Sequence, residues 1–225
     1  AMVGSKDYFA KDIDGNVKVT LRPRQPGSSI KPLNYALAFS KGILTPATII
    51  NDIPTCFNVV GQPLYCPVNY DGQFHGPVQT RFALGNSYNI PAVKVLALNG
   101  LEDFVATASG MGISTFKDPQ NYGLSITLGG GEVKMVDMAT AFSAFANLGI
   151  RQDIWAIKKV EDLSGKVIFE KEDQDGPRVL SMEVAYLIDH ILLDNNARSN
   201  AFGPSSWLVV KNHPEVSVKT GTTND

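Results

Sequence analysis

The sequence predicts an α+β fold, and three observations predict it. Apolar residues recur at helical spacing through the middle of the chain, in Ala-rich stretches such as residues 101–111 and 133–148. The β-type period appears instead toward the ends, at residues 17–20, 155–170 and 216–220. Elements segregated in this way favour α+β, with β-rich ends that pair into one antiparallel sheet packed against helices. With 225 residues, 44% of them hydrophobic, the chain can bury a real core. It reads as a single domain over residues 1–225, with an all-helical subdomain at about 43–150 inserted between sheet-forming segments.

Each element has a local reason. Residues 6–20 are polar, with Asp14-Gly15-Asn16 as a turn and residues 17–20 as a short alternating strand. Arg24-Gln25-Pro26-Gly27 breaks the chain before a helix that begins at or just before Ser28. In that helix Ile30, Leu33 and Leu37 share a face, Pro32 lies in the tolerant first turn, and Lys41-Gly42 gives a basic last turn and a stop. Residues 43–77 are rich in Pro, Gly, Asn and Asp and read as a long, mostly irregular excursion, a feature that is usually functional. A short helix follows over 78–85 and ends near Ser87-Tyr88-Asn89. Ile90-Pro91 opens the next, with proline at a favoured first position. Gly129-Gly130-Gly131 precedes the helix at 133–148. Residues 155–160 and 166–170 flank Asp162-Leu163-Ser164-Gly165 as a β-hairpin, Ser181 caps a helix running to about Asp194, and residues 216–220 form a final strand.

Composition excludes several function classes. The net charge of −2, with scattered Lys and Arg, leaves no footprint for nucleic acid or a membrane-surface patch. No stretch approaches the roughly 20 apolar residues of a membrane span. The opening Ala1-Met2-Val3-Gly4 reads as the tail of a buried strand, and the chain reads as a piece truncated at both ends. Cys56 and Cys66 leave two readings open: independent small residues, or a short-loop disulfide suited to an oxidising compartment. No metal site is expected, because these two cysteines lack a matching His pair and His75, His190 and His213 are dispersed.

Three short motifs carry chemistry: Ser28-Ser29-Ile30-Lys31, Ser87-Tyr88-Asn89 and Lys219-Thr220-Gly221. Acyl transfer by serine needs a nucleophile, a base for its proton, oxyanion donors and groups that position the substrate. Residues three apart on a helix share a face, so Ser28 and Lys31 can meet. A helix N-terminus, burial and a second cation at Lys219 all disfavour a charged Lys31, which leaves a neutral amine to act as base. Alone, a Ser-x-x-Lys is weak; Ser114-Thr115-Phe116-Lys117 fits it too, but Gly110, Gly112 and Pro119 around it keep any helix from aligning that pair. Ser29 has proline rather than lysine three residues on and reads as structural.

With these motifs in order, the chain resembles the transpeptidase domain of class A penicillin-binding proteins, in the penicillin-binding protein and serine β-lactamase superfamily. Longer strings extend the resemblance: Arg24-Gln25-Pro26-Gly27, Tyr70-Asp71-Gly72 with His75-Gly76-Pro77, Gly129-Gly130-Gly131-Glu132, Asp194-Asn195-Asn196-Ala197-Arg198, and Thr222-Thr223-Asn224-Asp225. The resemblance implies a β-lactamase/transpeptidase-like fold and a peptidoglycan DD-transpeptidase without a cofactor. Ser28 would attack a stem peptide ending in D-Ala-D-Ala, and Lys31 would take its proton. Ser87 would relay a proton to the leaving D-alanine, and Asn89 would hold the peptide and orient Lys31. Lys219 would maintain positive potential, and Thr220, Gly221 and Thr222 would bind substrate, the two hydroxyls at its carboxylate. Backbone N–H groups of Ser28 and Thr222 would form the oxyanion hole. β-Lactams would acylate Ser28. An upstream glycosyltransferase domain, a membrane anchor and a place on the outer face of the bacterial cytoplasmic membrane are implied in the same way.

Tyr88 stands where class A β-lactamases carry Asp, and no glutamate motif for a deacylating water is evident, which argues against efficient β-lactam hydrolysis. The alternatives are a D,D-carboxypeptidase or β-lactamase-like hydrolase on the same serine, and a β-lactam-sensing binding module. The family's fold continues past the third motif with strands absent here, so this piece is expected to be weakly stable or inactive by itself, with an incomplete sheet.

Overall fold

The computed structural model describes residues 2, 4–58, 61, 63–172 and 176–223. The expectation for Ala1 and Val3 and the end of the fifth string, Asn224 and Asp225, lie outside them. The architecture is α+β, with helices dominating.

At the centre is α1 (Lys31–Ser40), which follows a 3-10 turn at Gly27–Ile30. Every residue of α1 except Ser40 is buried, as expected of a helix enclosed on all sides. It stops at a left-handed Gly42, with Ile43 N–H donating to Ala38 O at 3.0 Å and Gly42 N–H to Phe39 O at 3.0 Å. Around it pack α3 (Asn89–Asn99), α4 (Leu101–Gly110) and α6 (Met182–Leu193), while α5 (Met135–Ala146) packs on α6. The core includes Leu33, Leu96, Phe104, Phe145 and Ile188. Truncating one of these to Ala costs about 2–5 kcal/mol. Two buried amides bond across it: Asn34 Nδ2 donates to Ala92 O and Thr127 Oγ1, both at 2.9 Å, and Asn99 Nδ2 donates to Asn34 Oδ1 at 2.7 Å. These bonds tie α1 to α3 and to the 3-10 turn at Leu124–Leu128.

The β content differs from one sheet made by the ends. Among the described residues three separate antiparallel pairs of strands occur: β1 (Pro23–Arg24) with β4 (Val133–Lys134), β2 (Ile49–Asp52) with β3 (Gly76–Gln79), and β5 (Lys159–Glu161) with β6 (Val167–Glu170). The excursion after α1 is thus closed at its base by β2 and β3, and Cys56 and Cys66 are disulfide-bonded within it, with Cα atoms 4.2 Å apart. Residues 17–20 are not a strand; Val19–Leu21 is a 3-10 turn, closed by Leu21 N–H on Lys18 O and Arg22 N–H on Val19 O, each at 3.1 Å. Residues 216–220 are irregular rather than a strand. Val218 N–H goes to Leu192 O at the end of α6, 3.1 Å away, so no ladder forms there among the described residues.

The shorter helices fall where spacing put them. A short α2 (Thr80–Gly85) precedes α3, Pro91 sits in the first turns of α3, and Ser181 Oγ caps α6 by accepting from Val184 N at 3.3 Å. The hairpin β5–β6 is exposed at every residue, and Trp155, Ile168, Phe169 and Trp207 stand in solvent. No helix among the described residues is long and apolar enough to cross a membrane.

Candidate active site

Ser28 sits on the 3-10 turn that leads into α1. Lys31 N–H donates to Ser28 O, and in 3-10 geometry side chains three apart eclipse, so Ser28 and Lys31 stack on one line. Ser28 is half-buried and opens onto a cleft of about 700 Å³. Ser29 points its hydroxyl back, donating to Pro26 O at 2.6 Å, and does not line the cleft.

Between α2 and α3 the chain turns through Asn86-Ser87-Tyr88. Ser87 N–H donates to Leu84 O and Tyr88 N–H to Ala83 O, at 3.1 and 3.0 Å, which puts Ser87 in the left-handed region at φ +63°. For a residue with a Cβ this costs on the order of 1 kcal/mol and turns the hydroxyl away from the helix axis toward Lys31. Lys31 is fully buried; its Nζ donates to Ser87 O and to Asn89 Oδ1 at 2.7 Å, and lies 3.3 Å from Ser87 Oγ. Lys219 Nζ donates to the same Ser87 Oγ at 2.8 Å and to Thr220 O at 2.8 Å.

The third motif is held against the first by backbone. Gly27 has φ +55°, and a Cβ there would lie 2.2 Å from Thr222 O; a Cβ on Gly129 would lie 2.2 Å from Gly27 N; a Cβ on Gly221 would lie 2.6 Å from Pro26 O. Main chains from three distant parts of the sequence therefore touch directly. Ser217 Oγ donates to Asp189 O at 2.9 Å and fastens the segment to α6. Thr220, Gly221 and Thr222 line the cleft, as do Asn69, Tyr70 and Asp71.

The electrostatics favour neutral amines. Burial first, and then the Lys219 charge, hold Lys31 well below the usual lysine range. Burial lowers Lys219 to about 7. A neutral Lys31 has two N–H groups, which Ser87 O and Asn89 Oδ1 accept, and one lone pair that can take a proton. Among the described residues no group of His, Cys, Asp or Glu is placed to hold a metal ion.

A sequence model of the penicillin binding protein transpeptidase domain matches residues 1–225. The chain belongs to that family. Penicillin-binding protein 1A of Neisseria lactamica is 32% identical over 231 residues, covering all of this chain and 28% of that protein. Penicillin-binding protein 1C of Escherichia coli is 34% identical over 194 residues, covering 85% of this chain and 23% of that protein. The chain thus spans less than a third of the length of these curated relatives. Among solved structures, penicillin-binding protein 1A of Haemophilus influenzae aligns with a TM-score of 0.71 at 27% identity, over 82% of this chain and 31% of that one. PonA1 of Mycobacterium tuberculosis aligns with a TM-score of 0.70 at 20% identity, over 84% and 50%, a likeness of fold.

In this penicillin-binding protein transpeptidase domain all eight motif residues singled out from the sequence gather at one cleft or directly behind it. Six of them line it, while Lys31, fully buried, and Lys219, half-buried, reach it through the Ser87 hydroxyl. Cys56 and Cys66 are on the excursion and are not among the lining residues. The decoy Ser114 is non-helical and exposed, with its hydroxyl on Asp137 at 2.6 Å. Sequence reading missed Asp52, Asn69 and the wall formed by Asn200, Ala201 and Phe202. Asn86 connects that wall to α2, donating to Ala197 O and accepting from Ala201 N. The strings at residues 70–77 and 194–198 lie beside these positions and were the available signal.

Proposed function

We propose that this chain carries the active site of a peptidoglycan DD-transpeptidase working through an acyl-serine at Ser28. The observation that carries the reading is the convergence of two amines, fully buried Lys31 and half-buried Lys219, on one hydroxyl, Ser87 Oγ, at the cleft that Ser28 lines. In this reading Ser28 Oγ attacks the penultimate D-alanine carbonyl of a stem peptide. Neutral Lys31 takes the Ser28 proton, and Ser87 passes it to the nitrogen of the departing D-alanine. Backbone N–H groups of Ser28 and Thr222 receive the oxyanion. Thr220 and Thr222 hydroxyls, with Gly221 keeping the backbone close, bind the terminal carboxylate, and Lys219 supplies positive charge. Asn89 holds the peptide and fixes Lys31. An amine on a neighbouring stem then takes the acyl group, which forms the cross-link and frees Ser28. A β-lactam acylates Ser28 by the same attack, with opening of its ring in place of departure of D-alanine.

The whole protein's setting belongs to the same proposal. It is a bacterial enzyme on the outer face of the cytoplasmic membrane, with an upstream glycosyltransferase domain and an anchor, and residues 43–150 form the helical subdomain of its transpeptidase domain. The Cys56–Cys66 bond supports an oxidising compartment.

The test is intact-mass spectrometry after incubation with a penicillin, on this chain and on the full-length protein, with Ser28→Ala in parallel. One adduct on wild type and none on the mutant is expected. No adduct on folded full-length protein would overturn the reading.

A further inference from the structure

Behind the second motif lies a chain of buried hydrogen bonds that the reaction as described does not use. Asp52, at the end of β2, is fully buried. Its Oδ2 accepts from Asn69 Nδ2 at 2.7 Å, from His75 N–H at 3.0 Å and from His75 Nδ1 at 2.8 Å. Asn69, 3% exposed, then accepts on Oδ1 from Asn89 N–H at 2.7 Å. That bond caps α3 from a distant loop, since its own N-cap residue, Tyr88, offers no side-chain bond. Val68 O, one residue before Asn69, accepts from Asn89 Nδ2 at 2.8 Å. Asn89 is therefore held at both its backbone and its amide by one short loop. With Nδ2 committed to Val68, Oδ1 is left facing Lys31, where it accepts from Nζ at 2.7 Å. A flipped amide would set N–H against N–H at Lys31. The same Asp52 carboxylate fixes His75, whose ring stacks on Tyr88 at 3.9 Å between centroids.

We infer that Asp52 and Asn69 are positioning residues for the Ser28 reaction: they lock Asn89, and Asn89 aims the Lys31 amine. The inference rests on the proposed acyl-serine chemistry and adds two residues that none of the three motifs contains. A neutral Lys31 needs two fixed acceptors for its lone pair to take one direction. Ser87 O is supplied by the left-handed turn, and Asn89 Oδ1 is supplied by this chain of bonds. The titratable groups nearby are Lys219, facing Lys31, and His75, Asp71, Lys94, Tyr35 and Tyr88, around Asp52.

The experiment follows acylation of the full-length protein by a fluorescent penicillin across pH, with melting temperature measured alongside. Asn69→Ala and Asp52→Ala should each lower the acylation constant at least about 10-fold, in the range lost when proton transfer is misaligned. Each should also move the acid limb of the profile to lower pH, because Lys31 loses an acceptor that favours its ammonium form. Asp52→Asn, whose amide oxygen can occupy the Oδ2 position, should recover most of the loss. Asn69→Ser, a milder change, serves if Asn69→Ala does not fold. Variants that melt lower but keep the wild-type constant and acid limb would overturn the inference and leave the acyl-serine reading standing. A folded wild type that takes no penicillin would overturn both.

Discussion

Lys31 and Lys219 meet at one group, the Ser87 hydroxyl, whose Oγ lies 3.3 and 2.8 Å from their Nζ atoms. Neither amine has a carboxylate beside it among the described residues, so folding disfavours the charge on both. Lys219 is lowered from 10.5 to about 7. Between those values the unfolded chain binds more protons than the folded one, so stability should rise with pH from about 7 to 10.5. The slope is at most about 1.4 kcal/mol per pH unit for one such lysine. Urea unfolding at pH 7, 8.5 and 10 would measure it, and Lys219→Met should reduce it to the part that Lys31 contributes.

The same shift predicts proton uptake on ligand binding. An anionic carboxylate held by Thr220 and Thr222 beside Lys219 would restore its charge. At pH 8, binding of a non-reactive D-Ala-D-Ala analogue should take up a fraction of a proton, read by calorimetry in buffers of different ionisation enthalpy. Heat independent of buffer would show that Lys219 does not change charge.

Lys31→Ala should slow acylation of Ser28 by a factor of at least about 100, the scale of lost general-base catalysis. Stopped-flow with a fluorescent penicillin would record it. An unchanged rate would assign the base to another group.

Ser29→Ala should retain penicillin labelling while losing its bond to Pro26 O, at a cost of about 0.5–1.5 kcal/mol. Labelling that follows Ser29 instead of Ser28 would reverse the assignment of the nucleophile.

Replacing both Cys56 and Cys66 by Ser frees a loop of sequence separation 10 and should cost at most about 3 kcal/mol. The loop base at β2–β3 is held by its own ladder, so acylation of Ser28 should persist. Loss of acylation with the melt unchanged would place the loop in the catalytic geometry.

Legibility followed how locally each feature is determined. Ser181 as a cap and Gly42 as a stop act within a few residues and stand in the structure, while Pro91, expected at the first helical position, is the third residue of α3. The motif residues were legible because their residue types match a chemistry. Residues 17–20 misled because a period of two over four positions becomes a strand only with a neighbour, and local bonds closed a 3-10 turn instead. The strand at 216–220 failed likewise, its backbone bond going to α6. Asp52 was invisible for a different reason. In a stretch rich in Pro and Asn it looks like a turn residue, and its partners Asn69 and His75 lie 17 and 23 positions away.

The contact of Gly129 on Gly27 and of Gly27 on Thr222 sets the spacing between the nucleophile's turn and the third motif by main chain alone. Side chains around the cleft can therefore change over evolutionary time without altering that gauge. A substitution at the rim, at Tyr70 or Phe202 for instance, leaves the gauge as it is, whereas a side chain at Gly27 or Gly129 would break it.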